Sequence, residues 1–351
     1  MKDKQIRCKA IVFPYPERAE IHNDVALPTV DDDSIVIKTK YSSISRGTEM
    51  DLYHARFHGR GQFYPILTGY EATGEVIYAG KNVTHLRVGD RAAASNLLEG
   101  FDKRYCVAWG GQTEYVVVNK VSYQDFGVHP DYGAKRACKI PDNISYQEAC
   151  FSVLTAVALH GIERIGIKKE DTVIVIGQGC VGMLCAQIIK SMGIRVIVCD
   201  LYDYRLNISK KVGLKEQINV SDVDLVKQSL EYTEGKGADV VVDATGKGAE
   251  IYEFIWDMVK EHGTVHAQGM VLDPIVLKVC DTLFSKSLRF SSSCGEYPRH
   301  QREALSMISD GRIKVKEMIS KEMFFTEATK AYDLVDKKPD EILKLIFKWE
   351  E

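Results

Sequence analysis

The ten residues VIVIGQGCVG, 173–182, constrain the fold more than any other stretch of the chain. Four apolar residues of strand character run into Gly177, Gly179 and Gly182, and a helical pattern, CVGMLCAQIIKSMG, follows without a break. A strand that ends in a glycine-rich turn and continues as a helix is the first half of a parallel crossover unit. The rhythm then repeats. RVIVCD, ADVVVDATG and TVHAQG are further apolar runs of strand length, YRLNISKKVG and IYEFIWDMVKEHG read as helices, and SLRFSSS is the expected last strand. Strands apolar on both faces that alternate with helices predict an α/β, doubly wound parallel sheet over residues 146–294.

The turn itself carries chemistry. In G-x-G-x-x-G spacing the first glycine permits the tight turn, the second lets the backbone approach a pyrophosphate, and the third lets helix and strand pack closely. Cys180 and Val181 open the helix, whose free N–H groups and positive dipole end suit an anion. Asp200 ends the next strand, about twenty residues on, which is the context that turns a weak motif into a dinucleotide site. A carboxylate there accepts hydrogen bonds from both ribose hydroxyls and repels a 2′-phosphate, so the expected cofactor is NAD rather than NADP. Arg205 in DLYDYRL is near enough in sequence to bond the ribose as well. Thr245 and Gly246, and Gln268 and Gly269, stand at the carboxyl ends of later strands, where ligands collect. A plain strand-to-helix turn explains each of these pairs equally well.

Residues 1–145 have a different texture. IVIKTKYSSIS, ATGEVIYAG and TEYVVVN alternate with period two between turn residues, which predicts a compact antiparallel β domain. YQDFGVHPDYGAKRACKIPDN reads as an irregular surface insertion, and Asn143 or Ser145 as the N-cap of a helix, with Glu148 completing a capping box. Two amphipathic patterns, HQREALSMISDG and FTEATKAYDLVDKKPDEILKLIF, flank a final strand that is expected to return to the first domain. The formal net charge of −3 gives no general attraction to nucleic acid or acidic membranes. No run of eighteen apolar residues offers a membrane span, and MKDKQIRCKAIVF goes straight into a strand without a secretion signal. Nine scattered cysteines without a C-x-x-C pair are expected to be buried thiols in a reducing cytosol, so a cytoplasmic location is expected.

Taken in order, a β-rich first part with GYEATGEV and VGDRAA, the GQGCVG turn and a C-terminal return resemble the medium-chain dehydrogenase/reductase (zinc-type alcohol dehydrogenase-like) superfamily over essentially the whole chain. The resemblance implies a GroES-like β-rich catalytic domain, 1–145 completed by 295–351, and a Rossmann domain over 146–294. It also implies homodimers or homotetramers joined through sheet-edge strands. In zinc members the first motif reads Cys-Gly-Thr-Asp and the second Gly-His-Glu, with Cys and His as catalytic metal ligands. Here they read SRGTE and GYE. Ser45 or Arg46 stands for the cysteine, according to the side from which the count starts, Tyr70 stands for the histidine, and Glu71 keeps the glutamate. EACFSVLTA offers Cys150, but one thiol does not build a three-ligand site. SNLLEGFDKRYCVAWGG has Cys106 alone where four close cysteines would form a structural zinc lobe. The sequence is therefore similar to a zinc-independent branch, and SISRGTE with GYEATG is most similar to the bacteriochlorophyllide dehydrogenase-like group, whose relatives oxidise a secondary alcohol.

Without a metal to acidify the alcohol, a side chain must handle its proton. Tyr70 is the expected proton carrier, made acidic by Arg46 or by the oxidised nicotinamide; Glu71 is the expected relay, with Ser45 and Thr48 bonding the substrate oxygen. Packing for Tyr70, an arginine partner for Glu71 and turn-capping for the two hydroxyls are the competing structural roles. Trp109 and Tyr105 are candidate walls of the substrate site, and Arg299 and His300 candidate contacts or a solvated helix start. His54 and His58 have the spacing of one helix face, and with Arg46 they point to a polar or anionic substrate, or to plain solvation, rather than to zinc. Three functions follow in order: metal-free, NAD-dependent oxidation of a polar secondary alcohol, polyol- or sugar-like, or its reverse; reduction of an activated C=C bond with NADPH, which Asp200 disfavours; and a nucleotide-binding scaffold without chemistry.

Overall fold

In the computed structural model the chain divides into two compact units, one made of residues 1–153, 297–309 and 319–351, the other of residues 154–296 and 310–318. The structure describes residues 5–56, 63–94, 101–118, 137–221, 223–246, 248–277, 279–293, 295 and 298–350. Most of the expected insertion at 123–143, together with His58 and Cys294, lies outside them.

The first unit is built on two sheets. One has four strands, in the order Glu20–Thr29, Gln5–Phe13, Ile66–Leu67 and Cys106–Val107. The other has six in a row, Ile319–Phe324, Lys344–Lys348, Ile35–Ser43, Ala72–Ala79, Arg91–Ala94 and Ala137–Lys139, with Tyr115–Val118 pairing the strand Ile35–Ser43 from the side. Period-two burial is weak in these strands because many are covered on both faces; Lys344–Lys348 buries four of its five residues. An aromatic cluster of Phe13, Tyr53 and Tyr332, with Phe347 beside it, fills one of the unit's cores. Ser145 caps the helix Tyr146–Ala149 through its side chain, and Glu148 returns the bond, so the capping box is formed as the sequence implies.

The second unit carries one parallel sheet of six strands, ordered Glu216–Asn219, Arg195–Asp200, Thr172–Ile176, Ala238–Asp243, Val259–Ala267 and Arg289–Ser292. The order reverses at Thr172–Ile176, the strand that feeds the glycine turn, and ligands of doubly wound sheets bind where the order reverses. Two local readings change. EQIN, residues 216–219, is a short and polar edge strand with no apolar run to announce it. The stretch expected as one helix from Ile251 breaks into a turn of helix at Ala249–Tyr252 and a 3₁₀ turn at Ile255–Met258, because Val259 already enters the sheet beside Ala238. No helix among the described residues is long and apolar enough to cross a membrane.

Candidate active site

Strand pairing in the first unit brings its chemical groups together. Ser42 pairs with Ala72 across antiparallel strands, and the Ser43 N–H donates to the Glu71 carbonyl at 3.0 Å, so the chain leaving one strand at Ser45 lies beside the chain entering the other at Tyr70. The hydroxyls of Ser45 and Tyr70 are hydrogen-bonded. Thr48, in the first turn of the helix Thr48–Tyr53, is a second hydrogen-bond partner of the Tyr70 phenol. Trp109 meets the Tyr70 ring edge-on, with centroids 5.3 Å apart, and takes a left-handed backbone (φ 68°) to do so. Three residues from two separate segments therefore converge on one half-buried phenol.

The electrostatics of that phenol differ from the expectation. Burial, and then the negative charge of Glu71, push the Tyr70 hydroxyl well above its ordinary value, and its bonds to Ser45 and Thr48 offset only part of this. The Arg46 guanidinium donates to the Ile342 carbonyl at 3.3 Å. These influences favour the neutral phenol over the phenolate.

Glu71 is bonded elsewhere as well. It accepts from Ser43 Oγ at 2.8 Å and forms an ion pair with Lys344, both side chains fully buried. Burial raises its pKa, and the Lys344 charge is the main opposing influence. It acts on Tyr70 through its field rather than through a hydrogen bond. Behind the Ser45 turn sits another buried carboxylate, Glu49, which accepts from the Ser45 N–H at 2.6 Å and the Tyr332 hydroxyl at 2.8 Å, with longer bonds of 3.4 Å from Gln112 Nε2 and Thr68 Oγ1. Burial pushes Glu49 up to about 7. Gln112 ties the two carboxylate surroundings together, since it also bonds the Ser43 carbonyl and accepts from Ser42 Oγ.

His54 is held apart from this group. It caps the end of its helix and lies between Glu17, 3.0 Å from Nδ1, and Asp336, 2.8 Å from Nε2. Tyr105 belongs to a core, its hydroxyl 2.8 Å from His22 Nδ1. His300 is buried within the helix Pro298–Ser309, whereas Arg299 on the same helix is exposed.

In the second unit the glycine turn has the form of a dinucleotide cradle. Gly177 has φ 88°, which strains any other residue, and a Cβ on Gly182 would fall 1.8 Å from the Gly177 carbonyl, so a side chain at Gly182 would push the helix off the strand. A Cβ on Gly179 would meet nothing within 4 Å, which leaves the helix end open to a ligand. Gly179 caps the 12-residue helix Cys180–Ser191 without any side-chain hydrogen bond, and Cys180 and Val181 form its half-buried first turn. Asp200 accepts from the backbone N–H of Gln178 at 2.6 Å and of Tyr202 at 2.9 Å, and Arg205, stacked on Tyr202, reaches it at 3.4 Å. A carboxylate has further lone pairs for two ribose hydroxyls. Thr245 is folded back on Asp243, 2.7 Å through its hydroxyl, and Gly246 has φ 64°. Gln268 and Gly269 both donate their backbone N–H to the Asp243 carbonyl at 2.8 Å. The Gln268 side chain is buried against His266.

With this geometry in hand, comparison with known proteins is decisive. Residues 31–124 match the alcohol dehydrogenase GroES-like domain and residues 180–310 the zinc-binding dehydrogenase family. The chain belongs to the medium-chain, zinc-type alcohol dehydrogenase-like superfamily. It is 27% identical to the sorbitol dehydrogenase of Halalkalibacterium halodurans, over 91% of this chain and 92% of that one. It is 25% identical to the D-arabitol-phosphate dehydrogenase of Enterococcus avium, over 89% of each. Among solved structures, the alcohol dehydrogenase of Thermus sp. ATN1 superposes with a TM-score of 0.81 at 22% identity, over 97% of this chain and 100% of that one. A dehydrogenase from E. coli CFT073 complexed with NADH does so with 0.81 at 23%, over 97% and 99%. The protein is thus an alcohol dehydrogenase-type oxidoreductase, and the cradle around Gly177–Gly182 and Asp200 fits a nicotinamide dinucleotide.

Membership of this superfamily raises the question of zinc at the motif positions. Tyr70 and Ser45 are bonded to each other, Glu71 is paired with Lys344, and Cys150 is fully buried against Thr73 with its thiol pushed up to about 12. Tyr70 and Ser45 offer hydroxyls where zinc members have imidazole and thiolate, and among the described residues no three His, Cys, Asp or Glu side chains gather as a metal site. Both named relatives are polyol dehydrogenases, which lends nothing to the narrower likeness to the bacteriochlorophyllide group. Of the eight described cysteines, Cys280 is exposed and Cys106 and Cys180 are half-buried, whereas the other five are buried. Glu49 closes the SRGTE motif, where zinc members have the aspartate of Cys-Gly-Thr-Asp, whereas Gln112, Tyr332 and Lys344 carry no motif. Lys344 alone left a signal, a charge in the middle of the apolar run ILKLIF.

Proposed function

We propose that this alcohol dehydrogenase-like protein interconverts a polyol- or sugar-like secondary alcohol and its ketone with NAD, and that Tyr70 takes the place of the metal. The observation that carries the reading is the hydrogen-bonded set of Tyr70, Ser45 and Thr48, in which Tyr70 stands for the histidine of the zinc motif. A bound nicotinamide dinucleotide supplies the hydride donor or acceptor. Tyr70 holds the proton: its neutral hydroxyl donates to the substrate oxygen as charge develops there in carbonyl reduction, and Ser45 keeps that hydroxyl aimed. In the oxidative direction the same hydroxyl has to receive the proton, which its raised pKa favours thermodynamically only once it has been ionised. Carbonyl reduction is therefore the direction that neutral pH favours. Asp200 supports NAD over NADP, because a 2′-phosphate beside a buried carboxylate is repelled.

The substrate class rests on the names of the relatives and on the polar lining of Ser45 and Thr48. A panel of sugars and polyols, assayed by NADH absorbance on protein whose metal content has been measured, tests both parts. Turnover with less than one-tenth equivalent of zinc per chain supports the reading. Turnover that needs a full equivalent, or activity confined to enones with NADPH, overturns it.

A second copy of the chain is the proposed partner. Arg289–Ser292 ends the six-stranded sheet with an open edge, and Val276, Val279 and Phe284, just before it in sequence, are largely exposed apolar side chains. Light scattering that returns the mass of one chain at micromolar concentration would contradict this.

A further inference from the structure

We propose that Glu49 is a positioning residue, which fixes Ser45 and through it the Tyr70 hydroxyl for proton transfer. The inference rests on the proton-carrying role given to Tyr70 above. Its geometry is a chain of two bonds: Glu49 Oε2 accepts the Ser45 N–H at 2.6 Å, and Ser45 Oγ bonds the Tyr70 hydroxyl. Ser45 lies in the turn between the strand Ile35–Ser43 and the helix Thr48–Tyr53, where no sheet partner holds its N–H.

A purely structural role would be filled better by a neutral side chain. The groups that hydrogen-bond Glu49 from other segments, Tyr332, Gln112 and Thr68, can all donate to an amide oxygen. The chain instead buries two carboxylates, Glu49 and Glu71, beside one ammonium, Lys344, and Lys344 is bonded to Glu71. Leaving a buried carboxylate without a cation of its own is costly. The charged form makes the stronger bond to the Ser45 N–H. Tyr332 can reverse its hydroxyl when Glu49 takes a proton, but the Ser45 N–H cannot, so protonation weakens the bond that holds Ser45. The groups whose charges bear on Glu49 are Glu71, which hinders its ionisation, and Lys344, which favours it. The balance puts that proton near neutral pH, where it alters the site under working conditions.

The test uses intact enzyme labelled with carbon-13 at the tyrosine Cζ, with the Tyr70 signal assigned by its loss in Tyr70→Phe. In the wild type this signal is expected to shift with a midpoint near pH 7. Glu49→Gln is expected to abolish the shift, and Tyr332→Phe, which removes a hydrogen bond that favours the carboxylate, to move the midpoint upward. In parallel, NADH-dependent reduction of D-xylulose by the wild type is expected to fall about tenfold as the pH is lowered from 8 to 5.5, the worth of one charge-assisted bond, and to be flat in Glu49→Gln. A Tyr70 signal that is stationary in the wild type, or that still shifts in Glu49→Gln, overturns the proposal. So does an unmoved midpoint in Tyr332→Phe, which keeps the test decisive if Glu49→Gln does not fold. Full activity of Tyr70→Phe would instead strike at the role of Tyr70, and the resonance readout separates the two failures because it needs no turnover.

Discussion

Lys344 and Glu71 form an ion pair in which neither side chain reaches solvent, with exposures of 1% and 0%. Strand register creates it: Ile346 pairs with Ser43, which sets Lys344 two residues further along, beside the chain that carries Glu71. Removing one partner of such a pair strands the other charge in the core. Lys344→Met is expected to lower unfolding free energy by roughly 3–5 kcal/mol in denaturant titrations, and adding Glu71→Gln to recover most of that loss. An additive double variant would mean that the two side chains do not interact.

The raised pKa of Tyr70 makes a kinetic prediction. If this phenol must lose its proton for alcohol oxidation, the rate climbs with pH for as long as the phenol stays protonated. The expected profile of kcat/KM for oxidation keeps rising past pH 10, the ordinary phenol value, instead of levelling near it. A plateau at pH 8 would assign the proton to another group.

Glu49 links stability to pH with an unusual sign. Its folded-state pKa is raised from 4.5 to about 7, so the folded protein binds this proton more tightly than the unfolded chain. The penalty is absent below about pH 4.5, grows between 4.5 and 7, and is complete above 7, where it is worth roughly 3 kcal/mol. Glu49→Gln removes the titration. Its melting temperature relative to wild type is therefore expected to rise by several degrees between pH 5 and pH 8, whatever the offset at pH 5. A constant difference across that range would mean that Glu49 does not titrate there.

The parts of this architecture that repeat along the chain were legible in the sequence. Val173–Ile176, Val196–Cys199 and Val240–Val242 are buried on both faces and run into the glycines and Asp200 at regular spacing, so the parallel sheet and its cradle could be read from periodicity. Ser45, Thr48 and Tyr70 could be located by motif position. Their electrostatics could not, because the raised pKa of Tyr70 comes from burial and from Glu71, whose counter-ion, Lys344, lies 273 residues away in sequence. Glu49 escaped for the same reason: its partners Gln112 and Tyr332 are 63 and 283 residues distant. His54 was open to a substrate contact or plain solvation on sequence, and its ring partners Glu17 and Asp336, 37 and 282 residues away, were not legible there.

Asp200 offers a test of coenzyme choice. A carboxylate that bonds ribose hydroxyls contributes on the order of 1.5–3 kcal/mol, so Asp200→Ala is expected to weaken NADH about 10- to 100-fold in fluorescence titrations. NADPH, relieved of repulsion and placed near Arg205, is expected to gain over the same change. Equal loss for both coenzymes would reduce Asp200 to a brace for the Gln178 turn.

The account turns on the proton of one phenol, and turnover by Tyr70→Phe probes it without intermediaries. Phenylalanine keeps the ring against Trp109 and removes only the hydroxyl that bonds Ser45. On a substrate accepted by the wild type, kcat is expected to fall about 100-fold or more while the NADH dissociation constant stays within twofold. A Tyr70→Phe enzyme that turns over at the wild-type rate would contradict the account.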